Sequence, residues 1–541
     1  MPRLLPSVVV LLLVPIVAGA QPVMGSTYQP GVDAIDYDIR LELPDSGAHL
    51  RGDVTLTAHR ARHVRAVRLD LVRTLAVRQV TVDDGVVSAQ RADDALIVPL
   101  GASTGDTVRI RVQYDGTVTD GLIVQRDARG RWSGFGDNWP DRARHWLPLV
   151  DHPSDKATVS FTVRAPSNRT VVSNGVLIGV QALGGAGQGR SETRWRESHP
   201  IPTYLMVIGA GQLVRTDLAQ PGCAVSARHR CVPQSVYTMP EQRSFAPGPF
   251  AAAPAIVRFF EELVGPFPYD KLAHVQSLTR FGGMENAGAI FYADRLFVDR
   301  TLGDGLIAHE TAHQWFGDAV TEREWGDLWL SEGFATYYAA LWAREARGEA
   351  AFDRELAAIR DQVIADTVVA TRPVIDSLQR NYLALLNANS YQKGGYVLHL
   401  LHQQLGDSAF HAGVRAYYAR HRHGNATTDD LRTAMEAASG QSLRAFFDQW
   451  LRRPGVAHLD AGWAYDAASG TVGIAVLQSA TAYALRLPVE VIGPDGTVTR
   501  TVVDIPAQSR TAVTLPGRFA NRPRSVRIDP QARVLGRVAR L

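Results

Sequence analysis

Two histidines four positions apart, in the run His309-Glu310-Thr311-Ala312-His313, constrain this chain more than any other feature. At i and i+4 of a helix they project from one face, so both imidazoles can reach one metal ion. Glu310 stands between them and can point at a water on that metal. The pattern by itself also occurs on polar surface helices. Here Leu302, Leu306 and Ile307 precede it, and Trp315 and Phe316 follow it. Charged groups in so apolar a helix need a partner, because unpaired buried charge is expensive. The run Asp327-Leu328-Trp329-Leu330-Ser331-Glu332-Gly333-Phe334 supplies one, with Glu332 in an aromatic, apolar setting. Eighteen residues separate His313 from Glu332. That is room for a helix end, a turn through Gly317-Asp318 and a second helix packed on the first. His309, His313 and Glu332 would leave a fourth position open, which is the catalytic rather than the structural form of a zinc site, with one zinc per chain.

Around this site the hydrophobic period changes twice. A chain of 541 residues is too long for one core. From Tyr28 to Tyr237 it reads as β-structure: Asp36 to Leu43 alternates with period two, and Val108, Ile110 and Val112 repeat the pattern. Gly184 to Gly189 has no phosphate-loop ending and reads as a strand connection. Ala246-Pro247-Gly248-Pro249 marks a linker, after which Ala251 to Leu263 opens a helical stretch that runs to about Trp450. Arg453-Pro454-Gly455 ends it. Leu485 to Val491, the turn Pro494-Asp495-Gly496 and the return from Thr497 to Val503 make a hairpin. The expected fold is a multidomain α+β chain. It has an N-terminal β-sandwich-like domain over 21–245, a helix-rich catalytic domain over 246–455 and a small C-terminal β-sandwich over 456–541.

Residues 1–20 differ from the rest. Arg3, the apolar stretch Ser7 to Val17 and Ala18-Gly19-Ala20 have the order of a secretory signal peptide. No comparable apolar run follows, so no membrane span is expected in the mature chain, and the protein is expected to be secreted or periplasmic. The two cysteines, Cys223 and Cys231, are eight positions apart without metal-site or redox spacing. In an oxidising compartment they would form one local disulfide. The net charge of +3 argues against nucleic acid as a partner. Oligomeric state is not encoded in any pattern here.

The two glutamate-containing segments, within His309 to Asp318 and Trp325 to Tyr338, resemble the aminopeptidase N family of zinc peptidases, which also contains leukotriene-epoxide hydrolase. Gly282-Gly283-Met284-Glu285-Asn286 resembles the exopeptidase motif of that family, Ser390-Tyr391-Gln392-Lys393-Gly394 its Tyr-x-Lys-Gly segment, and Gly265-Pro266-Phe267-Pro268-Tyr269 the element before its active-site strand. The resemblance covers nearly the whole mature chain. It implies a thermolysin-like catalytic domain, peptide substrates with a free N-terminus and removal of single N-terminal residues. It further implies that Glu285, with Glu332, holds the substrate ammonium, that the Gly282–Asn286 segment binds the peptide as an added strand, and that Tyr391 stabilises the oxyanion.

Two departures stand out. Gly283 replaces the usual Ala, and Ser331 a common Asn. Near residue 138 the family carries a Gln or Glu that helps clamp the amine. Here the stretch is Gly136-Asp137-Asn138-Trp139-Pro140, with Asp137 or Asn138 as the candidate substitutes. In the chemistry so implied, a zinc-activated water attacks the first peptide bond, Glu310 serves as general base and then acid, and Asp327 either orients a ligand histidine or caps a helix. The alternatives are a zinc endopeptidase, an epoxide hydrolase and a non-catalytic peptide-binding homologue.

Overall fold

The computed structural model describes residues 27–101, 105–220, 231–479 and 481–540. The leader-like segment 1–20 lies outside them. Strand Val32–Glu42 is buried at alternate positions, with Tyr37, Ile39 and Leu41 inside. It pairs antiparallel with His49–Arg60 and parallel with Lys156–Pro166 at the centre of an eight-stranded sheet. Four- and three-stranded sheets complete this β-rich N-terminal part. Gly184 to Gly189 joins the antiparallel strands Val176–Ala182 and Arg190–Pro202.

A five-stranded sheet positions the site. Its order is Val214–Asp217, Gln234–Thr238, Leu272–Ser277, Ala289–Ala293, Gly283–Met284. The first two strands precede the proline-rich linker and pair with each other, and the second of them, Gln234–Thr238, also pairs with Leu272–Ser277, which follows it. The chain therefore enters the sheet of the helical region before Ala246. Gly283–Met284 forms the far edge, antiparallel to Phe291 and Tyr292, so its outer side is left open for another strand. Helices Ala253–Leu263, Asp304–His313, Trp329–Arg347 and Gly394–His421 pack below, the last kinked at Gly406.

After Leu451 the chain returns to strands, in a four-stranded and a three-stranded sheet. Leu485–Ile492 and Val498–Ile505 form the expected hairpin. The multidomain order β-rich, helical, β-rich is thus the one read from the sequence. Among the described residues no helix is long and apolar enough to cross a membrane. Cys231 is disulfide-bonded; Cys223, the only other cysteine in the chain, lies outside the described residues.

One side chain ties the N-terminal sheet to the turn below the site. Lys156 is buried, and its Nζ donates to the carbonyls of Asp318, Ala319 and Gly424, each at 2.9 Å. Three acceptors use all three ammonium protons. Lys156→Met would remove three hydrogen bonds at about 1 kcal/mol each, although Asp318 O keeps Thr321 Oγ1 and Ala319 O keeps His423 N as donors. The expected loss is on the order of 3 kcal/mol, read as a lower urea midpoint.

Candidate active site

Helix Asp304–His313 carries His309 and His313 one turn apart, and it ends where Gly317 turns the chain with φ +114°. A Cβ at 317 would overlap Ser331 Oγ, so this left-handed position needs glycine for space as well as for backbone. The turn returns the chain to helix Trp329–Arg347, whose first turn holds Glu332. Thr428 fixes that start by accepting from Trp329 Nε1 and donating to Asp327 Oδ1, at 2.8 and 2.7 Å. Asp327 is thus a brace between helices. The expectation that it orients a ligand histidine gives way, because His313 Nδ1 has other partners: the Phe316 carbonyl at 3.1 Å and Ser331 Oγ at 3.0 Å. A proton on Nδ1 that is donated to Phe316 leaves the Nε2 lone pair facing the cleft.

Three donor atoms converge there. His309 Nε2 and His313 Nε2 are 3.1 Å apart. Glu332 Oε2 lies 3.3 Å from the first and 3.2 Å from the second. A tetrahedral zinc with bonds of roughly 2 Å needs ligand atoms roughly 3.3 Å apart, so the triangle fits that ion. Glu332 Oε2 is buried without a hydrogen bond, as an atom awaiting a cation would be. Charge tells the same story. Burial opposes the Glu332 charge, yet His313 beside it holds the carboxyl well below its usual range. Burial likewise opposes a charge on His313, and Glu332 and Glu285 outweigh it and hold the imidazolium well up. Glu332 and His313 thereby form an ion pair at the point where the donors meet.

Two further carboxylates face this point. Glu285 and Glu310, with His313, place their donor atoms within 4.8 Å of one another. Burial raises Glu285 to about 7, with Glu332 adding to the rise and His313 opposing it. Burial, Glu285 and Glu332 lift Glu310 far above the carboxylate range. Glu310 lies against the edge strand, where a Cβ at 283 would overlap its carboxylate. Glycine at 283 gives that side chain its room.

Tyr391 sits in a π-helical turn, Asn389–Lys393. Its hydroxyl donates to Glu332 Oε1 at 2.7 Å. Burial and the Glu332 charge raise its pKa well above the usual value, so the phenol keeps its proton. Gly282, Gly283, Met284 and Glu285 line a cleft of about 530 Å³ together with the groups above. Asn286 does not line it. That residue is fully buried, with its backbone carbonyl taken by Ala289 N. A larger cavity of about 1410 Å³ lies between the C-terminal strands and the helices, without any of these groups.

The expected amine-clamp substitutes are also engaged elsewhere. Asp137 takes hydrogen bonds or ion pairs from Arg142, Arg280 and Thr279 at 2.8 to 2.9 Å. Asn138 accepts from Trp146 Nε1 and donates to the Met206 carbonyl, both at 2.8 Å. Both are fully buried, and of the five residues in that stretch only Trp139 reaches the cleft. Sequence reading also missed Gln314. Its carboxamide accepts from Gly288 N and donates to the Glu285 carbonyl, both at 2.7 Å, and so fixes the exopeptidase segment against the metal-site helix. Its only signal was its place directly after His313.

Comparison with known proteins agrees with this geometry. Residues 34–205 match the Peptidase M1 N-terminal domain, and residues 250–450 the Peptidase family M1 domain. Tricorn protease-interacting factor F2 of Thermoplasma acidophilum is 28% identical over 79% of this chain and 54% of its own length. Aminopeptidase N of Streptomyces lividans is 29% identical over 83% of this chain and 53% of its own. The chain spans about half the length of these relatives. An M1 zinc metallopeptidase mutant from Deinococcus radiodurans, solved with a Tyr-Ser-Ala substrate, superposes with a TM-score of 0.67 at 26% identity, over 78% of this chain and 94% of the other.

Proposed function

The chain belongs to the M1 family of peptidases, and from that premise we propose that it is a zinc-dependent aminopeptidase that hydrolyses the N-terminal peptide bond of peptides. The observation that carries the reading is the meeting of His309, His313 and Glu332 at zinc-ligand spacing beside Glu285, at the open edge of a sheet. The name of the Streptomyces relative and the tripeptide bound by the Deinococcus enzyme support it.

His309, His313 and Glu332 would hold a zinc ion, which would supply Lewis acidity for the first peptide carbonyl and for the attacking water. Glu285, with Glu332, offers the ammonium its counter-charge, so only a peptide with a free N-terminus sits in register. An extended substrate pairs with Gly283–Met284 as a sixth strand. Glu310 takes the proton of the water as its oxygen bonds to the carbonyl carbon, then delivers it to the departing amine as the C–N bond breaks. Tyr391 donates its hydroxyl to the oxyanion. Loss of one such donor raises a barrier by about 2.7–4 kcal/mol, so Tyr391→Phe should lower kcat by roughly 100- to 1,000-fold with KM little changed.

We also propose that the protein acts outside the cytoplasm, in the periplasm or the medium. The disulfide at Cys231 supports an oxidising compartment, and the leader-like order of residues 3–20 supports export. The decisive test of activity compares one peptide with free and with acetylated N-termini. Hydrolysis of the free form alone is expected. Equal internal cleavage of both would make the protein an endopeptidase.

A further inference from the structure

Two apolar walls flank the three donor atoms. One follows the helices away from the site: Leu306 stands one turn before His309, and Ala340 two turns beyond Glu332. The other is aromatic and adjoins Glu285, formed by Phe281, directly before Gly282, and by Trp139 from the N-terminal part. Phe281 and Trp139 thus lie beside the segment Gly282–Glu285, within reach of the first side chain of a peptide whose ammonium rests on Glu285.

Trp139 is held rigidly. Its ring meets Phe281 edge-on at 6.1 Å and 89°, and Trp325 at 5.3 Å and 75°. Trp325 is backed in turn by Tyr204 at 5.3 Å and Tyr382 at 5.8 Å. The wall offers no counter-charge. Arg142, whose guanidinium lies over Phe281 at 6.0 Å, is already paired with Asp137, and Asp137 is itself enclosed.

Resting on the aminopeptidase reading above, we propose that Trp139 is a specificity-determining residue. It makes the subsite for the substrate's first side chain an aromatic wall that takes large apolar residues, such as Phe, Leu or Met, and rejects acidic ones. A flat, fixed indole pairs well with an aromatic side chain, whereas a carboxylate pressed against its electron-rich face loses water without gaining a partner.

Aminoacyl fluorogenic substrates carrying Phe, Leu, Ala, Arg or Glu provide the test, with wild type, Trp139→Gln and Trp139→Phe compared. Wild type should favour Phe and Leu over Glu by at least tenfold in kcat/KM. Trp139→Gln should lower kcat/KM for Phe about tenfold, chiefly through KM, and at least five times more than for Ala. Trp139→Phe should keep most of the preference, which separates the role of the ring from damage to the fold. Equal losses on every substrate, or a wild type that prefers Glu, would overturn the assignment while leaving the aminopeptidase reading intact. A wild type that turns over none of the five overturns both.

Discussion

Glu310→Gln is expected to lower kcat by about 100- to 10,000-fold, the span of a positioned general base and acid, while bound zinc stays near one per chain. The carboxamide is nearly isosteric, so the metal-site helix, which is buried beneath the edge strand, should keep its packing and its thermal transition. The loss should fall on kcat and kcat/KM alike, because Glu310 moves protons only as bonds change. KM should move little, since Glu285 rather than Glu310 is placed to meet the substrate ammonium. The burial that raises Glu310 so far makes the charge of the bound cation part of its function: without that charge nearby, a carboxyl in this setting holds its proton and cannot accept another. Steady-state kinetics with metal analysis on one preparation decides the matter. A Gln variant with full metal and wild-type turnover would remove Glu310 from the mechanism.

The parts legible in the sequence are those in which local spacing fixes geometry. The i, i+4 histidines, the strand alternation around Ile39 and the hairpin turning at Asp495-Gly496 are all short-range patterns, and each has the form read from the sequence. Glu332 was within reach because a short turn between two apolar helices leaves few ways to pack them. What escaped depends on contacts distant in sequence. Strand Gln234–Thr238 joins the second sheet by parallel pairing with Leu272–Ser277, and no local period encodes which sheet a strand enters. Asp327 and Thr428 are brought together by a helix a hundred positions away. In Gly136–Pro140 the sequence pointed to Asp137 and Asn138, and both are buried away from the cleft. Charge pointed to Asp137, but Arg142 and Arg280 already claim it, which leaves the uncharged Trp139 at the cleft.

The groups that orient the donors show how little slack the site has. Ser331 and the Phe316 carbonyl share His313 Nδ1, Tyr391 holds the other oxygen of Glu332, and Gln314 secures the strand that carries Glu285. All are uncharged. They set direction without adding charge, so the electrostatics at the donor atoms rest on His309, His313, Glu285, Glu310 and Glu332. Tyr391 is engaged by Glu332, so its hydroxyl is held beside the donor atoms.

His313→Ala should abolish both zinc retention and hydrolysis. His313 is the most enclosed of the three donors, with a side chain 1% exposed against 17% for His309, and its loss leaves the buried charge of Glu332 without its nearest cationic partner. Chelation of the wild-type protein should give the same inactive state, with one difference: added zinc should restore the chelated wild type and leave His313→Ala inactive. Stability should follow the metal. An ion that binds only the folded protein, at a free concentration a thousand times its Kd, contributes about 4 kcal/mol. For an unfolding unit of about 200 residues each kcal/mol shifts the midpoint by about 2–4 °C, so chelation should lower the transition of the helical part by on the order of 10 °C. The His313→Ala transition should lie near that of the chelated protein and respond to neither zinc nor chelator. Calorimetry with and without chelator reads both effects at once. A metal-free wild type with undiminished activity and an unmoved transition would show that these three side chains meet for some purpose other than holding a cation.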